Sequence, residues 1–182
     1  SSSDVGNIYA YNNSSMKKLH FSATFNAPKE KVCHAMLVDA PYREWTDAFN
    51  PGSFYKGSWD KGSKILFLGP NPETGEEGGM VSRIAENKPY EFISIEHLGV
   101  IQNGVEDTTS EEARKWTPAF ENYTFTEKDG VTEVLVDIDS ASFPAMALSL
   151  GGEASAFINR WLARQDSVAV APPEDGFHYT LS

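Results

Sequence analysis

The chain has 182 residues with 15 basic and 26 acidic side chains, a formal net charge of −11 and 40% hydrophobic residues. Its length allows one domain with a substantial core, and its acidity argues against a nucleic-acid partner, whose phosphates would repel it. It holds no run near the ~20 apolar residues that a membrane-crossing helix needs, and its single cysteine, Cys33, precludes an intrachain disulfide.

The first fifteen residues, "SSSDVGNIYAYNNSS", are rich in Ser and Asn and lack periodicity, with Met16 directly after them. Residues 1–15 are read as an appended or disordered lead, 16–165 as the domain and 166–182 as a C-terminal tail. The absence of a signal-peptide pattern and of paired cysteines points to a cytoplasmic home.

Within the domain, "KKLHFSATFN" alternates, with Leu19, Phe21, Ala23 and Phe25 on one face, as a half-buried strand requires. Pro28 stands at a helix start and "KEKVCHAMLV" continues at helical spacing; Pro41 opens a second short helix, "YREWTDAF". Cys33 lies in that first apolar pattern and is read as a small core residue. Turn signals at Asn50-Pro51-Gly52, Asp60-Lys61-Gly62, Asn71-Pro72, Gly78-Gly79 and Lys88-Pro89 separate four short strands. These are "SFYKGSW", "SKILFLG", "GMVSRIAE" and "YEFISIEHLGVI".

An acidic, turn-rich segment, "QNGVEDTTSEEARKW", follows as a lid or a solvated crossover. "FENYTFTEKDGVTEVLVDID" then reads as a hairpin turned at Asp-Gly. The last element is an amphipathic helix whose stripe is Phe143, Ala147, Leu150, Ala154, Phe157 and Trp161, interrupted by Gly151-Gly152. The order predicts an α+β fold: a curved antiparallel sheet around a long C-terminal helix, with two short helices after the first strand.

Two strands place chemistry inside. Alternation in "YEFISIEHLG" turns Ile93, Ile95 and His97 inward and Ser94 and Glu96 outward. In "FENYTF" it turns Glu121, Tyr123 and Phe125 inward and Asn122 and Thr124 outward. Strands successive in this order tend to be antiparallel neighbours, so His97 and Glu121 share an interior face. A buried carboxylate must be paired or protonated, and a histidine or tyrosine would meet that need. The pair is either an acid–base or ligand-orienting site or a polar stitch between strands.

The four histidines, His20, His34, His97 and His178, show no metal-ligand spacing, and no metal or cofactor is expected. "GPNPETGEEGG" lacks the Lys of a phosphate loop, and no nucleophile elbow appears.

The order and wording of these segments resemble the START-like (SRPBCC) superfamily, in the branch of homologues of the activator of the heat-shock ATPase chaperone. The matching words are "FNAPKEKVCHAM" with "REWTDAF", "GGMVSRIAENKPYEFISIEHLG", "GVEDTTSEEARKW" and "FENYTFTEKDGVTEVLVDID", over residues 17–139. After Asp139 the chain departs from that branch, being rich in Ala, Ser and Gly. The resemblance implies a helix-grip fold with a hydrophobic cavity between sheet and C-terminal helix. Candidate lining residues are Trp45, Phe67, Met80, Ile95, His97, Glu121, Tyr123, Phe157 and Trp161, with Trp59 and Trp116 adding to the aromatic surface. The expected function is binding of a small apolar or aromatic molecule without covalent chemistry. The alternatives are a cyclase- or hydratase-type enzyme using His97 and Glu121, and a co-chaperone-like domain with a protein partner. The oligomeric state is left open.

Overall fold

The computed structural model describes residues 18–48, 50–139, 153–165 and 177–181. Among these, nine strands form one antiparallel sheet. They are β1 (Lys18–Phe25), β2 (Phe54–Gly57), β3 (Lys64–Pro70), β4 (Glu77–Lys88), β5 (Phe92–Gln102), β6 (Val105–Asp107), β7 (Ala119–Lys128), β8 (Val131–Asp139) and β9 (Phe177–Leu181). The spatial order is β2-β3-β4-β5-β7-β8-β1-β9, with β6 paired to β5. Two helices follow β1: α1 (Lys29–Leu37) and α2 (Asp39–Thr46), joined at Val38, whose extended backbone makes a one-residue corner. A four-residue helix, α3 (Glu111–Arg114), precedes β7, and α4 (Glu153–Gln165) precedes β9.

Alternation explains the strands directly. Phe21 and Phe25 of β1 are buried, as are Thr132, Val134, Val136 and Ile138 of β8, and Phe21 stands opposite Val136 in register. The β7–β8 turn has positive φ at both Asp129 and Gly130, the conformation that makes Asp-Gly a hairpin signal. Asn103 and Gly104 do the same between β5 and β6. Gly79 permits the close approach of β4 to β3: its φ is 149°, and a Cβ there would lie 1.8 Å from the Phe67 carbonyl oxygen.

One irregularity directs the interior. The β4–β5 register slips between Val81 and Ser82, so that Val81 faces Gly99 while Ser82 faces His97. Leu98 is the extra residue, and such a bulge re-aims its neighbours. Ser82 and His97 thereby share the inner face. Beyond the bulge Ile101 passes to the outer face and joins Leu68 and Val81 in a separate apolar cluster with Phe54 and Leu66.

The main core lies between the inner sheet face and the helices. From α1 it takes Val32, Cys33, Ala35 and Met36, a single helical face; from α4 it takes Ile158 and Leu162. Cys33 is a core residue, and burial, followed by the nearby Glu30 carboxylate, pushes its thiol up to about 12.

Phe143, Ala147 and Leu150 of the expected stripe lie outside the described residues, as do positions 1–15. Two expectations change. Within α4 the fully buried residues are Ile158 (2% exposed) and Leu162 (1%), whereas Phe157 and Trp161 are only partly buried. The apolar face is therefore turned by one residue from the expected stripe. Finally, the segment read as a tail contributes β9, which pairs with β1 from Leu19↔Leu181 to Ala23↔Phe177.

Candidate site: a buried polar chain beneath an aromatic wall

His97 and Glu121 meet as their strand parity requires. On paired β5 and β7, Ile95 faces Glu121 and His97 faces Ala119, so His97 and Glu121 are diagonal neighbours. His97 Nε2 lies 3.0 Å from Glu121 Oε1, and Ser82 Oγ lies 2.7 Å from His97 Nδ1. The Tyr123 hydroxyl donates to Glu121 Oε2. One ring proton on Nε2 satisfies both histidine contacts: Nε2–H donates to the carboxylate and Nδ1 accepts from the serine hydroxyl. All four residues are buried, with exposures of 0% for Ser82, 1% for His97, 3% for Glu121 and 5% for Tyr123.

The Glu121–Tyr123 end of this chain forms the floor of a small cavity. Its walls are Met36 and Leu37 from the end of α1, Tyr42 and Trp45 from α2, Trp59, Phe67 from β3 and Ile95 from β5. Glu121 and Tyr123 complete it, and the volume is about 20 Å3. That is room for a water-sized group, which needs about 10–15 Å3.

The wall is built by capping. The final carbonyls of α1 have no partner within the helix. Trp45 Nε1 donates to the Met36 carbonyl at 3.0 Å. Tyr55 Oη and Trp59 Nε1 both donate to the Leu37 carbonyl, at 2.6 and 3.0 Å. Three aromatic side chains are thus tied to one helix end. Tyr42 is the hub, with ring centroids 5.5 Å from Trp45, 5.0 Å from Tyr55, 6.5 Å from Trp59 and 6.5 Å from Phe67. Edge-to-face contacts of this kind add to burial.

The electrostatics of the floor are negative. Burial, then the charge of Glu121 and its hydrogen bond, hold the Tyr123 phenol well above its ordinary range. Burial, then Glu121, then Tyr55, raise Tyr42 as well. Both phenols remain protonated. Among the described residues, no Lys or Arg lines this cavity.

A second cavity, of about 10 Å3, lies beside the first. Its lining includes Phe21, Phe25, Val134, Val136 and Ile158, and it shares Met36 with the first cavity. Among the described residues, Met36 is the one that lines both.

Of the expected residues, Trp45, Phe67, Ile95, Glu121 and Tyr123 line the polar-floored cavity, with Trp59. His97 stands behind the floor, its ring 6.0 Å from that of Phe67. Met80 pairs with Phe67 across β3 and β4 on the same face but does not line the cavity. Phe157 and Trp161 are elsewhere. Phe157 lies under the Arg160 guanidinium in an open surface groove with Arg43, Glu44 and Arg164, and Trp161 stacks on His34 at 5.3 Å. Trp116 is 42% exposed and adds nothing to the wall. The segment before β7 forms β6 against β5 and then α3, capped by Ser110, whose Oγ accepts from the Ala113 N–H at 3.1 Å.

Ser82, Tyr42 and Tyr55 escape sequence reasoning. Ser82 reaches His97 only through the bulge, and the two tyrosines sit in short segments with no strong period. Ser94, expected to face water, is 8% exposed. Among the described residues no group of three His, Cys, Asp or Glu is placed to hold a metal ion, and no helix is long and apolar enough to cross a membrane.

No family model matches the chain, and the curated proteins contain no match. Solved structures do resemble it. A protein from Rhodobacter sphaeroides is 18% identical with a TM-score of 0.58, over 82% of this chain and 94% of that one. A protein from Mycobacterium smegmatis is 19% identical with a TM-score of 0.57, over 83% and 91%. One from Arthrobacter aurescens is 12% identical with a TM-score of 0.60, over 84% and 88%. At these identities the likeness is one of fold: this chain shares an α+β architecture with a curved antiparallel sheet.

Proposed function

We propose that the chain is a START-like helix-grip domain that binds a small molecule with an apolar or aromatic body between the sheet and the helices. The observation that carries this reading is the cavity floored by Glu121 and Tyr123 and walled by Tyr42, Trp45, Trp59 and Phe67. A cavity of about 20 Å3 is far smaller than the roughly 300–1,000 Å3 of sites for drug-sized ligands. The adjoining apolar cavity supplies the direction of growth. Met36, unbranched and flexible, is the side chain that must move to join the two. A guest would then place a polar head at Glu121 and an apolar body beneath α4.

Native mass spectrometry of protein purified under mild conditions tests this. The expected result is a small molecule that stays bound in the intact protein and is released on denaturation. Protein that is free of any adduct in every preparation, and that binds none of a panel of small amphiphiles, overturns the reading.

A second reading is proton transfer by Glu121 with His97 in a cyclase- or hydratase-type reaction. One observation favours it: the hydrogen-bonded chain from Tyr123 and Glu121 at the cavity surface back to His97 and Ser82. It requires that Glu121→Gln abolish turnover while binding persists; a binding module instead shows altered affinity and no turnover in either protein.

A further inference from the structure

We infer that the guest of this cavity is an organic cation: an ammonium group seated over Glu121 and carried on an apolar body. The inference rests on the binding reading above and specifies its ligand class.

Consider first the hydrogen-bonding groups around the cavity. The indole N–H groups of Trp45 and Trp59 are committed to the Met36 and Leu37 carbonyls. The Tyr123 O–H is committed to Glu121. What remains is mostly acceptor capacity. Glu121 receives His97 on Oε1 and Tyr123 on Oε2, and an ionised carboxylate offers about four lone-pair sites, so about two stay open. Tyr42 lines the cavity, is only 6% exposed, and its hydroxyl has no hydrogen-bond partner among the described residues. A guest rich in N–H donors matches a carboxylate and an unengaged phenol oxygen. A carboxylate or phosphate guest would meet one remaining donor and a like charge.

Glu121 shares the cavity with four aromatic rings, those of Tyr42, Trp45, Trp59 and Phe67, a class of side chain that attracts cations, and the last turn of α1 reaches it through Met36 and Leu37. His97 donates to the carboxylate through one ring nitrogen and meets Ser82 with the other. No cationic side chain among the described lining residues competes for the place. Burial strengthens each of these terms, because the surrounding dielectric is low. The cavity as it stands admits a group about the size of an ammonium head; Met36 yields for the rest.

Calorimetric titration with three probes of one length, hexylammonium, hexanol and hexanoate, tests the inference at neutral pH. Hexylammonium is expected to bind about tenfold or more tightly than hexanol, with hexanoate the weakest. Glu121→Gln is expected to remove the advantage of hexylammonium while leaving hexanol binding. Tyr42→Phe is expected to weaken hexylammonium selectively, and this second variant decides the matter if the Glu121→Gln protein folds poorly. Hexanol binding as tightly as hexylammonium overturns the cation assignment and leaves the binding reading standing. If none of the three binds, both fail.

Discussion

The two cavities on either side of Met36 are made by the same sheet and differ in one respect. The cavity of Phe21, Phe25, Val134, Val136 and Ile158, of about 10 Å3, has almost no polar surface. The other carries a carboxylate, a phenol oxygen and, behind them, an imidazole and a serine. Burying Glu121 is costly unless its carboxylate is hydrogen-bonded, and His97 on Oε1 with Tyr123 on Oε2 gives each oxygen one partner. The inner face is specialised along its length: one end contributes packing, the other holds a hydrogen-bonded carboxylate. Substitutions on the two sides should fail differently.

The largest effect is expected on the polar side. Glu121→Ala leaves the His97 Nε2–H and the Tyr123 O–H buried without their acceptor, and should lower unfolding free energy by about 1–3 kcal/mol for each of these two groups in a denaturant titration. Glu121→Gln keeps an acceptor for His97 and offers Tyr123 an N–H in return, so its cost should be about 1 kcal/mol. Equal costs would mean that the chain does not hold the site together.

Truncating Met36 comes next. Met36→Ala should cost about 2–5 kcal/mol and merge the two cavities. It should also raise the affinity for apolar probes such as hexanol, because the space no longer has to be opened. A variant that loses stability without gaining affinity would separate the two cavities functionally.

On the apolar side the effect is smaller. Ile158→Val removes one buried methyl group and should cost about 0.5–1.5 kcal/mol without altering binding at Glu121. A change in ligand affinity of more than a few fold would show that the ends of the face are coupled.

The last effect shows only at alkaline pH and concerns Cys33. Its thiol is pushed up to about 12, mainly by burial, against about 8.5 in an unfolded chain. Because the folded value is raised, this contribution is complete below pH ~8.5 and is lost as pH rises toward 12. Alkylation at pH 8 should therefore follow unfolding, and Cys33→Ala should flatten the alkaline decline in stability. Rapid alkylation of the native protein would contradict the burial.

Much of this arrangement was legible in the sequence. The two-residue period of β5 and β7, together with their adjacency, is enough to bring His97 to Glu121. The Asp129-Gly130 turn also fixes the β7–β8 register. Ser82 was not legible, because its meeting with His97 depends on the extra residue Leu98, and no local pattern announces a bulge. The burial of α4 was half legible. Phe157–Trp161 and Ile158–Leu162 have the same four-residue spacing in adjacent rows, and periodicity cannot choose between them. Trp116 is aromatic but stands outside the core, since composition does not specify direction. β9 is five residues long and isolated beyond a Pro-rich stretch, so only its partner β1 makes it a strand.

The central claim is that Glu121, Tyr42, Trp45 and Trp59 form one binding site. Two-dimensional NMR of the indole N–H groups during titration with hexylammonium tests it most directly. The resonances of Trp45 and Trp59 should shift together and saturate, while those of the exposed Trp116 and of Trp161, stacked on His34, stay in place. Saturable shifts confined to Trp116 or Trp161, or no saturable shift at all, would contradict the account.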